Sequence, residues 1–230
     1  VAPSGGPADK TPPEITSTYP VPGALHVKDR KLSLQFSKYV DRVKVEQSIF
    51  CSPYLGKLTF DWGSKDVEMQ FSDSLRRNTT YILTVGTDVE DTRGNRMAKT
   101  FPLAFSTGDH IDSGSISGKV FDPKPEGVMV FAWSCGTRNV DTLDPRHTKP
   151  DYLTQTGKDG SFLLTNLALE RYRLLAVRDE YKNFMYDTQI DQYGAAPSDI
   201  LLDSSRQLVS GIQFQLTSED TTPPFLSSVR

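Results

Sequence analysis

Residues 78–109 read NTTYILTVGTDVEDTRGNRMAKTFPLAFSTGD. Two runs inside this stretch alternate with period two. In TYILTV, Tyr81, Leu83 and Val85 share one face; in FPLAF, Phe101, Leu103 and Phe105 do the same. Successive strand side chains point to opposite faces, so this alternation predicts half-buried strands with one face on a core. Between them lies a polar turn, RGN at 93–95, in which Gly94 permits a positive φ and Asp91 and Asn95 supply turn chemistry.

The same pattern extends outward. KLSLQFS places Leu32, Leu34 and Phe36 on one face, and VEMQF does so with Val67, Met69 and Phe71. Turn signals at YPVPG (19–23) and DWGS (61–64) separate the runs. After a polar linker, GDHIDSGS (108–115), alternation resumes. SISGKVFD puts Ile116, Gly118 and Val120 together, YRLLAVRD puts Tyr172, Leu174 and Ala176 together, and GIQFQL does so with Ile212, Phe214 and Leu216. GVMVFAW is apolar on both faces, as a central strand would be. KDGSFLLTNL carries an Asp-Gly turn into another strand. The segment 134–151 is polar and unpatterned and is expected as an exposed loop. Short helical turns are expected at 41–49 or 196–202. The fold class expected is all-β, two tandem β-sandwich domains. The expected division is a flexible tether at 1–10, a first sandwich at 11–109, a second at 113–217, and the start of a following module at 218–230. That last expectation comes from DTTPPF (220–225), which repeats the DKTPPE of residues 9–14.

Composition narrows the function. The formal charge is −3, and no basic field forms for nucleic acid, so that partner is excluded. No apolar run approaches the roughly 18 residues needed to cross a bilayer as a helix. The two cysteines, Cys51 and Cys135, fall in different halves, which argues for buried thiols rather than a disulfide framework or zinc cluster. The three histidines, His26, His110 and His147, match no metal or triad spacing. GSISGK (114–119) only mimics a phosphate loop, because its Gly and Lys fall on a strand. Asp88 and Asp91 could serve as an acid and base pair, but no cleft is legible to hold a substrate between them. No catalytic residue is assigned, and the chain is expected not to be an enzyme.

Two groups of residues invite a binding role. Asp179, Asn183, Asp187 and Asp191 recur at spacings of four, and oxygen ligands in a tight loop suit a hard cation such as Ca²⁺. The same residues also suit a polar hairpin with Asp and Asn capping its turns. Exposed aromatic rings offer stacking surfaces, and Trp62, Tyr181 and Tyr186 lead here, with Tyr152 and Tyr193 behind them. Trp62 also fits a strand end, and Trp133 belongs to the core. The acidic cluster Asp88, Glu90, Asp91 and Asn95 fits turn chemistry. Apart from calcium, no cofactor is expected.

The stretch 78–109 and the lead-in DKTPPEITSTYPVPGA (9–24) resemble the bacterial Ig-like domain of S-layer type: an N-T-x-Y strand, a loop with Asp and Gly-Asn, and a closing F-x-F-x-T-G strand. ISGKVFD, EGVMVFAW, TGKDGSFLLTNL and YRLLAVRDEYKNFMYD resemble the carboxypeptidase-regulatory-like, transthyretin-like (prealbumin-like) sandwich, here with a long insertion at 134–151. Loops of that family often read D-x-N-x-N-x-x-x-D after this strand; here Tyr181 takes the second position and the easing Gly is missing. The order of the two modules resembles bacterial envelope lipoproteins. The resemblance implies a non-catalytic module at the outer membrane or cell surface, joined to the membrane only through a lipid anchor outside this chain. It implies a spacer or interaction platform with a protein partner in the cell envelope. The alternative is a carbohydrate- or ligand-binding module assisted by calcium.

Overall fold

Where side chains alternate in the sequence they alternate in space. The computed structural model describes residues 9–136 and 140–220. The expected tether lies largely outside the described residues, and so does most of the expected following module. Strands β1 (Ile15–Tyr19), β2 (Lys31–Phe36), β4 (Leu58–Trp62) and β5 (Asp66–Phe71) form a four-stranded sheet in the order β1-β2-β5-β4. Strands β3 (Ile49–Ser52), β6 (Thr80–Val85) and β7 (Phe101–Ser106) form a three-stranded sheet against it. Leu32, Leu34 and Phe36 of β2 meet Val67, Met69 and Phe71 of β5, Tyr81, Leu83 and Val85 of β6, and Leu103 and Phe105 of β7 in one buried core. A short helix α1 (Arg42–Gln47) precedes β3, and the Asp41 side chain caps it by accepting from the Lys44 N–H at 3.2 Å.

The second half repeats the arrangement. β8 (Gly114–Phe121) is central between β11 (Ser161–Leu167), which is antiparallel to it, and β15 (Leu208–Gln215), which is parallel. Facing them are β10 (Tyr152–Gln155), β9 (Met129–Ser134), β12 (Arg171–Arg178) and β13 (Gln192–Ala195), with β14 (Ile200–Leu201) beside β12. The second turn expected near 196–202 is thus a strand: Ile200 pairs with Tyr172 and buries its side chain in the second core. Gly118 is required by close packing, since a Cβ there would meet the Ile212 carbonyl oxygen at 1.9 Å.

β9 is buried on both faces, as its apolar run predicts. Val130 and Ala132 enter the second core, while Met129, Phe131 and Trp133 enter a third cluster on the other side of the sheet. The segment 134–151 is therefore more than an exposed loop. Leu143 packs on that third cluster, and the Trp133 Nε1–H donates to the Thr148 and Lys149 carbonyls at 3.1 Å each. An indole inside a core needs a partner for its N–H, and the returning loop provides one. Residues 137–139 of this segment lie outside the described residues.

One feature of β6 departs from simple alternation. All six of its residues are buried. Its inner face feeds the first core, and Ile82, on the outer face, belongs to the second core. Phe50 of β3 likewise joins the third cluster. The sheet β3-β6-β7 is covered on its outer side by the second sandwich. The polar linker is held as well: the Asp112 N–H donates to Thr80 Oγ1 at 3.0 Å, and Asn166 Nδ2 donates to the Asp112 carbonyl at 3.2 Å.

Candidate functional site

Each sandwich has a strand with a buried tyrosine at its second residue that leads into a loop rich in aspartate. In the first, Tyr81 of β6 accepts the Arg76 backbone N–H on its hydroxyl at 2.8 Å. In the second, the Tyr172 hydroxyl of β12 donates to the Ala168 carbonyl at 2.9 Å. Tying a tyrosine back to the preceding corner is a recurrent device of Ig-like sandwiches. Both loops that follow run to the seam between the sandwiches.

After β6, the chain turns at Asp91. Asp91 Oδ1 accepts the N–H groups of Arg93 and Asn95 at 2.8 and 2.9 Å, and Oδ2 accepts Asn95 Nδ2 at 2.9 Å. Gly94 has φ +81°, as the turn requires. Burial pushes the Asp91 carboxyl up, but the Asn95 side chain, the two N–H groups and the charge of Lys38 outweigh it and hold it below the usual value. In the same loop, Asp88 is held by Arg96 at 3.0 Å, by Lys182 at 2.8 Å, and by Gln155 Nε2 at 3.3 Å. Burial again acts upward on Asp88, and Lys182 first among its partners reverses the sign.

After β12 lies the loop holding Asp179, Asn183, Asp187 and Asp191. The fold brings them together, with carboxylate oxygens turned on backbone N–H groups. Asp179 accepts from the Asn183 and Phe184 amides at 3.2 and 2.8 Å. Asp191 accepts from the Glu180 and Asp187 amides at 3.1 and 2.9 Å. Asn183 Nδ2 donates to Asp187 Oδ2 at 2.8 Å, and Asn183 Oδ1 accepts the Met185 amide at 2.8 Å. In place of the missing Gly, Lys182 and Phe184 adopt positive φ of 53° and 61°. Burial raises the carboxyls of both Asp179 and Asp191, and for Asp191 the charges of Asp187 and Glu180 act in the same direction. Among the described residues, no group of three or more His, Cys, Asp or Glu side chains is placed to hold a metal ion.

This loop reaches across to the first sandwich. Phe184 meets Phe50 edge-on at 4.9 Å between ring centroids, while Lys182 reaches Asp88. Beside them Gln155, itself buried, accepts the Thr87 amide on Oε1 at 2.9 Å. Magnitudes rank these contacts. Half-exposed ion pairs contribute roughly 0.2–1 kcal/mol each. Burying a large apolar side chain contributes about 1.5–3 kcal/mol. Ile82, Phe50 and Leu153 therefore carry most of the seam, and the Asp88 and Gln155 bonds select its register. Apart from Asp88, weighed as half of an acid and base pair, none of these residues stands out in the sequence as functional. The available signal was Ile82, an apolar residue on the face of TYILTV that alternation assigns to solvent.

The aromatic candidates divide. Tyr181 is 62% exposed. Tyr186, expected as an exposed ring, is only 7% exposed: it packs on Tyr193 at 5.1 Å, its amide donates to the Pro145 carbonyl, and its hydroxyl donates to Glu219. Burial pushes its phenol up to about 12. Tyr152 is also buried, in the second core, because β10 is covered on both faces. Trp62 ends β4 and leans on the first core; the Arg42 guanidinium lies 5.3 Å over its ring and its Nε1–H donates to Glu46 at 2.9 Å. Cys51 is half-buried against the first core, and burial drives its thiol far above the ordinary value, away from a nucleophilic thiolate.

Residues 9–107 match the family model described as Bacterial Ig-like domain, which covers the first sandwich. No curated protein sequence matches the chain. Among solved structures, an L,D-transpeptidase from Mycobacterium smegmatis is 13% identical with a TM-score of 0.33, over 89% of this chain and 90% of that one. The N-terminal part of the bacterial S-layer protein SbsC is 13% identical with a TM-score of 0.32, over 90% of this chain and 44% of that one. BcpA, the major pilin subunit of Bacillus cereus, is 10% identical with a TM-score of 0.30, over 90% and 70%. Scores this low support no inference about what the chain does. The fold is all-β and Ig-like in its first half.

Proposed function

We propose that this chain is a non-catalytic, extracytoplasmic segment of a bacterial surface protein, acting as a stiff spacer and as a platform for a protein partner in the cell envelope. The second sandwich, about 113–217, is read as the carboxypeptidase-regulatory-like, transthyretin-like partner of the Ig-like domain at 11–109. The membrane attachment is a lipid anchor outside this chain. The observation that carries the reading is the seam. Domains joined by small polar interfaces move by default, whereas apolar burial across a seam restrains them. Here Ile82 and Phe50 of one sandwich are buried in clusters of the other. The match of residues 9–107 to a bacterial Ig-like family supports the surface setting. The one cysteine near the seam, Cys51, has a thiol raised by burial, which fits a structural role.

Residual dipolar couplings measured on the whole chain test the spacer. One alignment tensor is expected to fit both sandwiches. In an Ile82→Ala, Phe50→Ala variant the two tensors should separate while each half keeps its own couplings. Independent tensors in the wild type would remove the spacer reading. Cross-linking of the full-length protein in its native envelope tests the platform: a defined protein complex supports it, and recovery of lipid alone counts against it.

A further inference from the structure

The open side of the first sandwich, between the edges of β3 and β4, holds a cleft of about 310 Å³. Leu58, Phe60 and Phe71 line it from the first sandwich, and Leu153 and Phe184 from the second. β4 pairs with β5 on one side, and no described strand pairs with its other side. Along β4, half-buried Leu58, Phe60 and Trp62 alternate with exposed Thr59 and Asp61. The far end of β4 is closed, since Arg42 donates to the Gly63 carbonyl at 3.0 Å and Glu46 holds Trp62. The open edge is therefore Leu58–Phe60. At the mouth stand Lys57 and Lys149. The Lys149 ammonium lies 5.2 Å over the Tyr54 ring and 6.0 Å from that of Phe184. Neither lysine pairs with a carboxylate among the described residues.

We propose that this cleft docks an extended peptide segment of a partner protein, which adds as a strand to the open edge of β4. Its alternate apolar side chains enter the cleft, and acidic side chains at its ends meet Lys57 and Lys149. Strand addition draws affinity from main-chain hydrogen bonds and specificity from pockets for every second side chain, and this site offers both. Two ammonium groups against the single Glu46 carboxylate in the lining leave the trough net positive, which favours an acidic occupant. A carboxylate amphiphile would answer the charge and the trough but leave the strand edge unpaired. The site rests on the reading of the chain as an interaction platform and gives that platform an address.

The test uses the whole chain, labelled with ¹⁵N, and a capped heptapeptide that alternates valine with threonine and carries aspartate at both ends. Amide shifts are expected at Leu58–Phe60 and around Phe184. N-methylation of alternate peptide amides should abolish them. Lys57→Glu with Lys149→Glu should weaken binding about tenfold, and a peptide with lysine ends should bind that variant better than the aspartate peptide does. This charge swap separates lost binding from misfolding. Absence of shifts at millimolar peptide, shifts elsewhere, or indifference to N-methylation would overturn the proposal. So would dodecanoate binding in the cleft where the peptide does not, which would make it an amphiphile site. If the peptide fails while a single alignment tensor persists, the docking site falls and the spacer stands.

Discussion

Strand β6 with its following loop and strand β12 with its following loop are counterparts in the two sandwiches, built on different terms. Both strands carry a fully buried tyrosine at their second residue, tied back to the corner before it. Yet Tyr81 takes a backbone N–H, while Tyr172 gives its proton to a backbone C=O. Both loops bury an aspartate as a turn cap. Asp91 is oversupplied with donors and held below the usual carboxylate range, whereas Asp191 receives two amides among like charges and is raised above it. One scaffold thus supports two opposite electrostatic solutions, and the balance of donors against burial decides which.

The largest test of that parallel truncates the rings. Tyr81→Ala and Tyr172→Ala should each cost about 3–5 kcal/mol, as emptying a large aromatic site does. Denaturant unfolding with a probe in each sandwich would measure it, and a much smaller cost at either site would break the equivalence. Removing only the hydroxyls sharpens the contrast. Tyr81→Phe leaves the partly buried Arg76 N–H without its acceptor, for a cost of about 1 kcal/mol. Tyr172→Phe leaves a carbonyl, an acceptor that tolerates under-satisfaction better, so its cost should be the smaller of the two.

Gly94→Ala comes next. Its φ of +81° disfavours any L side chain, although no atom lies within 4 Å of the added Cβ. The expected loss is about 1–2 kcal/mol, from backbone conformation alone. The smallest effect is a pH slope of opposite sign at the two caps. A lowered carboxyl contributes stability that is present above its ordinary value near 3.8 and lost as pH falls through its folded value. A raised carboxyl does the reverse, so stability is recovered as pH falls from its folded value toward 3.8. The stability gap between wild type and Asp91→Asn should therefore shrink on acidification, while that between wild type and Asp191→Asn should widen. Equal slopes in urea titrations across pH 3–7 would show that the two caps are alike after all.

Residues 179–191 mark the limit of what spacing along the chain encodes. Spacings of four brought Asp179, Asn183, Asp187 and Asp191 forward as a set, and the fold does assemble them. Spacing is silent, however, on whether an oxygen faces a cation or an N–H, because that depends on the path of the backbone through Lys182 and Phe184. The same gap hid the seam. Alternation in TYILTV identified the inner face of β6 correctly, but a strand covered on both sides by separate sandwiches differs from a half-exposed one only by a residue such as Ile82. Tyr186 is buried against expectation for a related reason. A tyrosine in a polar loop looks exposed until the neighbouring loop, through the Pro145 carbonyl, closes over it.

By itself, then, the sequence determined the all-β class, the inward faces of both sandwiches, the central strand β9 and the Asp91–Gly94 turn. Those features follow from local periodicity and local backbone preference, which neighbouring residues encode. Only the tertiary structure decided that Asp88, Gln155 and Lys182 meet, that Phe50 and Phe184 close the seam, and that β4 keeps an open edge over an apolar cleft. These depend on residues dozens of positions apart, and contact between them is set by how two sheets stack rather than by any pattern along the chain.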